Sequence, residues 1–381
     1  MLNILNTITA GNALFLAFLI LTVWRDANRS ANRWLALFLG LFGFFLLDDT
    51  LVCYGIYDQY PCLLGLAFLP VLAFGPVLFL CISAFTTIVP SFRKRDLWHF
   101  LPFGLYVLLT VPFLILPDAE KMRALAAEKA AEPQMMDKLL IGLIAAQVVA
   151  YLFFSILKLR KHRKYLENIT AVPNDFRLNW LLYFLLGFDV LMLFWLYEIF
   201  LPNFRHDGGW QTLVYFLAVC ALAFFAIRQK EVFPFSEKDA AEVQKFWAEN
   251  DESSTAKRAL LSEERLLEMK SSLLKNMETQ KPYLDPELNL PTLAGQMDLS
   301  LNELSELVNQ GFGENFNQFV NRYRIEESKR LLGSKKHAHL SMVGIAFEAG
   351  FNSKTAFNMA FKKMTGDSPT GFKRGEFDKV S

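Results

Sequence analysis

Cysteine and histidine are scarce in this chain, and net charge is almost absent: 381 residues carry four cysteines, five histidines and a formal charge of +1. Cys53, Cys62, Cys81 and Cys220 show no metal-ligand spacing, which excludes a zinc ribbon or finger. Residues 231–381 have no cysteine, as expected of a domain kept in a reducing cytosol. Cys53 and Cys62 both fall near the outer face of the membrane topology that the charge pattern gives. There they are either a disulfide or two small apolar fillers. His162 lies in a basic stretch, and His337 and His339 in a turn-like one. No Ser-His-Asp set or phosphate loop accompanies them, so the sequence points to no enzyme and no cofactor.

The near-zero net charge is an average over two unlike halves. Residues 231–381 lack long apolar runs, whereas residues 1–230 lack charge over long stretches. A bilayer crossing needs about 20 mostly apolar residues. Seven segments qualify, at 6–24, 34–56, 63–87, 97–117, 139–157, 179–201 and 210–228. One buried helix can be this apolar, but seven in succession with short polar breaks exceed what a soluble core accommodates. The N-terminus is apolar from Leu2, without a basic n-region or a small-residue cleavage site, so its first run is expected to be a retained helix.

Cations alternate along the breaks. Arg25, Arg29 and Arg33 fill the first, none the second, and Arg93, Lys94 and Arg95 the third. The fourth, 118–137, is dominated by acids; the fifth carries Lys158, Arg160, Lys161, Arg163, Lys164 and Arg177, and the sixth only Arg205. Positive loops stay in the cytoplasm. The expected topology is therefore a multi-pass protein of the bacterial cytoplasmic (inner) membrane, N-terminus out, with residues 231–381 delivered inside. Asp48, Asp49, Asp189 and Glu198 fall within the spans, where a carboxylate costs about 2.5–3.5 kcal/mol or more. Such residues are expected to face a bundle interior and sense an unknown small-molecule or envelope signal; for Asp48, Asp49 and Glu198 the alternative is that they reach interfacial water, which suits Asp189, near the middle of its span, least. Pro70, Gly75 and Pro76 are expected to loosen or kink the third span.

Residues 231–280 read as a charged linker and a connecting helix. Ser262 can cap that helix, Glu263 and Glu264 suit its first turn, and Leu266, Met269, Leu273 and Met277 recur at helical spacing. The stripe can pair two chains into a homodimer or dock on the domain C-terminal to it.

From residue 281 the pattern changes to short helices and turns. Residues 290–313 and 340–366 look like divergent copies of one helix-turn-helix. Each has an apolar–Ala pair (Leu293-Ala294, Ile345-Ala346), a tight turn (Asp298-Leu299, Gly350-Phe351) and a serine-led second helix. Gly350 enters the left-handed region freely, and Asp298 tolerates it. Leu304, Leu307 and Val308 give one inner face, and Phe357, Ala360, Phe361 and Met364 the other. The outward residues are then Asn302, Ser305, Glu306 and Asn309 in the first copy, and Thr355, Asn358, Met359 and Lys362 in the second. The helix between them, FNQFVNRYRIEESKRLLG, ends at Gly333 and can hold two recognition helices about one DNA turn, roughly 34 Å, apart.

KPYLDPELNL, the first copy, NRYRIEESKRLL and IAFEAGFNSKTAFNMAFKKMTGDSPTGFKR, in that order, closely resemble the DNA-binding domain of the AraC/XylS family. The layout resembles the family's membrane-bound branch. That resemblance implies an all-α protein: a seven-helix transmembrane bundle over 1–230, then a domain at 281–381 that binds double-stranded promoter DNA through both recognition helices. This sequence departs from the family where cations often stand on the first recognition helix, since it carries Glu303 and Glu306 there. Residues 281–314 hold one cation and six acids, and residues 315–381 twelve cations and six acids. Phosphate contacts dominate affinity. The second copy is thus expected to carry them, through Lys354, Lys362, Lys363, Lys373 and Arg374, with Ser353 also counted among its DNA-binding residues. Asn302, Ser305, Glu306 and Asn309 keep the option of reading base edges. A transporter with an attached regulatory domain, or a helix-turn-helix turned to protein contacts, are the alternatives.

Overall fold

A computed structural model describes residues 2–22, 28–90, 92–130, 135–171, 178–200, 209–229, 232, 235, 237–252 and 262–380. These are nearly all helical. Among the described residues, β pairing is confined to an isolated antiparallel bridge between Thr170 and Asn289. The chain divides into two compact units, one of Met1–Arg160 with Leu178–Val232, the other of Lys161–Arg177 with Phe233–Ser381.

The first unit contains α1 (Leu2–Thr22), α2 (Arg29–Cys53), α3 (Ile56–Gln59), α4 (Phe74–Phe85), α5 (Leu101–Leu114), α6 (Asp118–Ala130), most of α7 (Met135–Ile169), α8 (Asn179–Phe200) and α9 (Gly209–Arg228). Small residues let α1 and α2 approach closely: Ala10, Ala13 and Ala17 are buried, and a Cβ on Gly43 would lie 2.9 Å from Leu14 Cγ. Next to this pair, Phe38, Phe42, Phe74 and Phe188 interlock edge to face, with Phe38 and Phe188 centred 5.3 Å apart.

Each of the seven apolar segments is helical. Four are long and apolar enough to cross a bilayer (Ile4–Thr22, Arg29–Cys53, Lys94–Leu114, Leu139–Ile169), and Leu69–Phe85, Asn179–Val190 and Thr212–Ala226 are shorter apolar helices. The third begins as a 3-10 stretch, Leu69–Ala73, before α4 takes over, because Pro70 and Pro76 remove backbone donors there. α5 has no buried residue and no charged one, and Leu108, Leu109 and Ile115 are among the most exposed apolar side chains. Apolar surface that large needs a cover. α7 runs on to Ile169, through the basic break expected after 157. Lys, Arg, Leu and Glu all propagate a helix well, and Leu159, Leu166 and Ile169 are buried along it. The first part of the fourth break is helical as well, as α6 (Asp118–Ala130).

Asp48 accepts a hydrogen bond from the Tyr57 hydroxyl. Asp189 is buried, and its Oδ2 has no partner among the described residues. The Asp49 and Glu198 side chains lie outside the described residues. Cys53 and Cys62 are both free and exposed.

The second unit contains the end of α7, then α10 (Glu237–Glu252), α11 (Glu263–Thr279), α12 (Leu290–Gln296), α13 (Leu301–Phe312), α14 (Phe316–Leu332), α15 (Met342–Glu348), α16 (Lys354–Thr365) and α17 (Pro369–Val380). Dividing the sequence at residue 230 does not anticipate that Lys161–Arg177 belongs here. Asn317 Nδ2 donates to Ala171 O at 2.6 Å, and Ala171 N donates to Leu288 O at 3.4 Å. α11 starts on Ser262, whose hydroxyl accepts from Arg265 N at 3.3 Å. It buries Met269, Leu273 and Met277 while packing on α13, so its stripe docks on the domain of its own chain. Lys270 Nζ reinforces this by donating to Gly311 O at 2.6 Å.

Candidate nucleic-acid interface

Two helix pairs repeat one backbone design around α14. In the first, α12 starts on Asn289, whose side chain accepts from Thr292 N, and the chain then reverses at Asp298 with φ +51°. Leu299 N donates to Ala294 O at 3.0 Å. In the second, α15 starts on Ser341 and the chain reverses at Gly350 with φ +88°. Phe351 N donates to Ala346 O at 2.9 Å. The same bond thus closes both turns on the alanine that the two sequences share. One extra residue separates turn from helix cap in the second copy, Gly350 to Ser353 against Asp298 to Ser300. α14 packs against α13 and against both α15 and α16, with Phe319, Val320 and Ile325 buried along it. Gly333 ends α14 in right-handed geometry, φ −80°, so no left-handed cap forms there.

Sequence reasoning missed Arg324, which holds these parts together. It is fully buried. Its Nε donates to Tyr283 O at 2.8 Å and its Nη2 to Asp285 O at 2.7 Å, while the guanidinium sits 5.7 Å from the centre of the Phe351 ring. Burial pulls its pKa down to about 10, against a partial offset from Asp285. Gly350 presses on the same strut, since a Cβ there would meet Tyr283 O at 2.3 Å. Glycine is needed twice over, for its φ and for the lack of space. The available signal was a lone arginine on a helix face otherwise marked by Phe316, Val320 and Leu331.

α13 presents a mixed face. Asn302 and Asn309 are exposed, and Glu306 is half-buried. Ser305, expected outward, is buried at 8% exposure and accepts from Asn309 Nδ2 at 3.3 Å. It lies on the flank of the helix rather than its crest, one residue from Leu304, where packing reaches it. Gln310 Nε2 donates to Glu306 Oε1 at 2.9 Å. Glu303 has a structural job: its carboxylate accepts from Ser300 N at 2.9 Å and Ser300 Oγ at 2.8 Å in a capping box. Those bonds hold its pKa below the usual carboxylate value. α10 packs against α13, and Asn302 Nδ2 donates to Glu249 Oε2 at 2.7 Å. α10 carries six acids and two lysines in its sequence.

α16 differs. Ser353 caps it, accepting from Ala356 N at 3.2 Å, so this hydroxyl is committed to the helix. Lys354, Thr355, Asn358, Met359, Lys362 and Lys363 are all exposed, Arg374 is exposed on α17, and Lys373 is half-buried. Phe357 and Phe361 are fully buried, but Met364, expected inside, is 39% exposed. The α14 cations are spent within the domain: Arg322 pairs with Glu314, Lys329 with Glu326 and Arg330 with Glu327. Among the described residues, Lys354, Lys362, Lys363, Lys373 and Arg374 form no ion pair.

Residues 293–375 match the family described as a helix-turn-helix domain. The chain is also similar to HTH-type transcriptional activator RhaS of Escherichia coli O139:H28 (strain E24377A / ETEC) and of Escherichia coli (strain K12 / DH10B). Each is 30% identical over 147 residues, covering 35% of this chain and 52% of the relative. The chain therefore spans about half the length of the curated relatives it matches. No solved structure matches it at a significant level. Residues 293–375 thus match a helix-turn-helix domain, and the chain is similar over 147 residues to HTH-type transcriptional activators.

Proposed function

We propose that this chain is a membrane-tethered, sequence-specific regulator of transcription, with residues 281–381 binding promoter DNA and residues 1–230 forming a seven-span bundle in the cytoplasmic membrane. The observation that carries the DNA reading is the set of Lys354, Lys362, Lys363, Lys373 and Arg374, without an ion pair among the described residues, around a capped recognition helix. Phosphate neutralisation by such a set supplies sequence-independent affinity. Thr355, Asn358 and Met359 on the same face meet base edges, the methionine suiting an apolar contact with a thymine methyl. α13 enters the neighbouring groove with Asn302, Glu306 and Asn309, but only after α10 releases the Glu249 bond to Asn302. α10 brings carboxylates to the face that approaches phosphate, so its departure favours binding.

The membrane reading is supported by α5, apolar along its whole length with nothing buried, and by the alternation of basic loops. With an odd number of spans and the N-terminus outside, the helix-turn-helix domain stands in the cytoplasm. Asp189, whose Oδ2 has no partner among the described residues, is the strongest sensing residue, followed by Asp48. A signal acts only if it binds the DNA-competent and incompetent states unequally.

The test is titration of the full-length protein, in detergent or nanodiscs, with genomic DNA fragments at several salt concentrations. The expected result is fragment-selective binding that weakens linearly in log–log form, by roughly 0.9 decades per decade of salt for each phosphate contacted. Absence of duplex binding at low salt would leave the domain as a protein-contact module.

A further inference from the structure

A cavity of about 490 Å³ opens at the basic end of the first unit, between α2, α4, the 3-10 turn Lys94–Phe100 and α7. Small-molecule sites occupy about 300–1,000 Å³. Its lining combines two chemistries. Trp34, Phe79 and Phe92 line it, with the Trp34 and Phe92 rings 5.8 Å apart. Arg93, Arg95 and Lys158 line it as well, and Asp96 is the carboxylate among the described lining residues; it accepts from Arg93 N at 2.8 Å and closes the turn. Lys158 Nζ lies 5.3 Å from the centre of the Phe79 ring, so the two chemistries meet at that pair. Ser83 also lines the cavity, and its buried hydroxyl has no hydrogen-bond partner among the described residues. A buried hydroxyl without a partner is costly, and an incoming acceptor oxygen would relieve it.

We propose that this cavity binds an anionic amphiphile, its phosphate or carboxylate head held by Arg93, Arg95 and Lys158 and its apolar chain laid against Trp34 and Phe79. Three cations with one carboxylate among the described lining residues favour an oxyanion. A zwitterionic head would set its own ammonium against those cations. A small soluble anion would leave the aromatic residues unused. In the proposed topology this end of the bundle meets the inner leaflet, so the source is an anionic lipid of that leaflet, and this clause alone rests on that topology.

The full-length protein in detergent is titrated with dioctanoyl phosphatidic acid, dioctanoyl phosphatidylcholine and glycerol 3-phosphate, following binding by calorimetry. Phosphatidic acid should bind saturably at one site, about tenfold or more tighter than either of the others. Arg95→Gln with Lys158→Gln should weaken it by about tenfold, and Arg95→Lys, which keeps the charge, should weaken it less. The unfolding midpoint of each variant without lipid checks that the bundle is intact. Equal binding of phosphatidylcholine, or parental affinity in the double variant, would overturn the site. Equal binding of glycerol 3-phosphate would overturn the chain-binding half and identify a soluble phosphate as ligand. A reporter inserted after Phe92 that proves external would overturn the inner-leaflet source while leaving the titration result standing.

Discussion

The two helix-turn-helix copies share a turn and differ in nearly everything around it. The first is acidic, its crest residue Asn302 is bonded to Glu249, and α10 and α11 both pack on α13. The second is basic and presents exposed lysines with no ion pair among the described residues. A common backbone fixes where a recognition helix points, while the side chains decide whether it binds tightly or only after something else has moved. In the proposed function the second copy is therefore the anchor and the first the conditional reader.

The largest expected effect breaks the anchor. Lys362→Glu with Lys363→Glu should weaken duplex binding at every sequence by roughly 1,000-fold, since attraction becomes repulsion at the phosphates. Anisotropy titration of the full-length protein reads this, and unchanged affinity would remove the second copy from its role. Next is the strut that joins the copies. Arg324→Ala should cost about 3 kcal/mol of domain stability, from a cavity and two abandoned carbonyls. Denaturant unfolding followed by circular dichroism measures it, and a loss under 1 kcal/mol would contradict the account of Arg324.

A smaller effect sharpens the idea of a conditional reader. Glu249→Ala, or separately Glu306→Arg, should raise affinity for duplex DNA by up to about tenfold, because each removes a carboxylate from the phosphate side of α13. A weaker complex with Glu306→Arg would instead identify Glu306 as a specific base contact. The smallest effect is the cap: Glu303→Ala should cost about 1 kcal/mol. Glu303 has its folded pKa held below the ordinary value of 4.5 by its bonds to Ser300. Its contribution is therefore fully present above about pH 4.5 and disappears as pH falls through the lower folded value. The stability difference between parent and Glu303→Ala should shrink on acidification below pH 4.5. A difference that grows there would contradict the capping role.

Much of this was legible in the chain because strong periodicity and composition speak for themselves. Seven apolar runs became seven apolar helical segments, and the Ala–turn–Ser pattern located both helix-turn-helix motifs, including the left-handed Asp298. What escaped depended on tertiary neighbours. Basic residues after 157 suggested a loop, but their helix propensity and the buried Leu159, Leu166 and Ile169 carry α7 onward. Ser305 looked outward by spacing and is buried because it flanks the packed face. Ser353 looked available to DNA and Glu303 looked like an acid turned toward phosphate, and both serve in helix caps. Arg324 was not singled out in the sequence, and its burial is explained by its carbonyl partners from residues 283 and 285.

The central claim is that a membrane-resident chain grips chromosomal DNA through α16. Cross-linking in intact cells, followed by genome-wide recovery of DNA bound to the full-length chain in the membrane fraction, tests it directly. The account predicts discrete occupied promoters that disappear in the Lys362→Glu, Lys363→Glu variant. Recovery of no enriched DNA from the parent, or the same peaks from the variant, would contradict it.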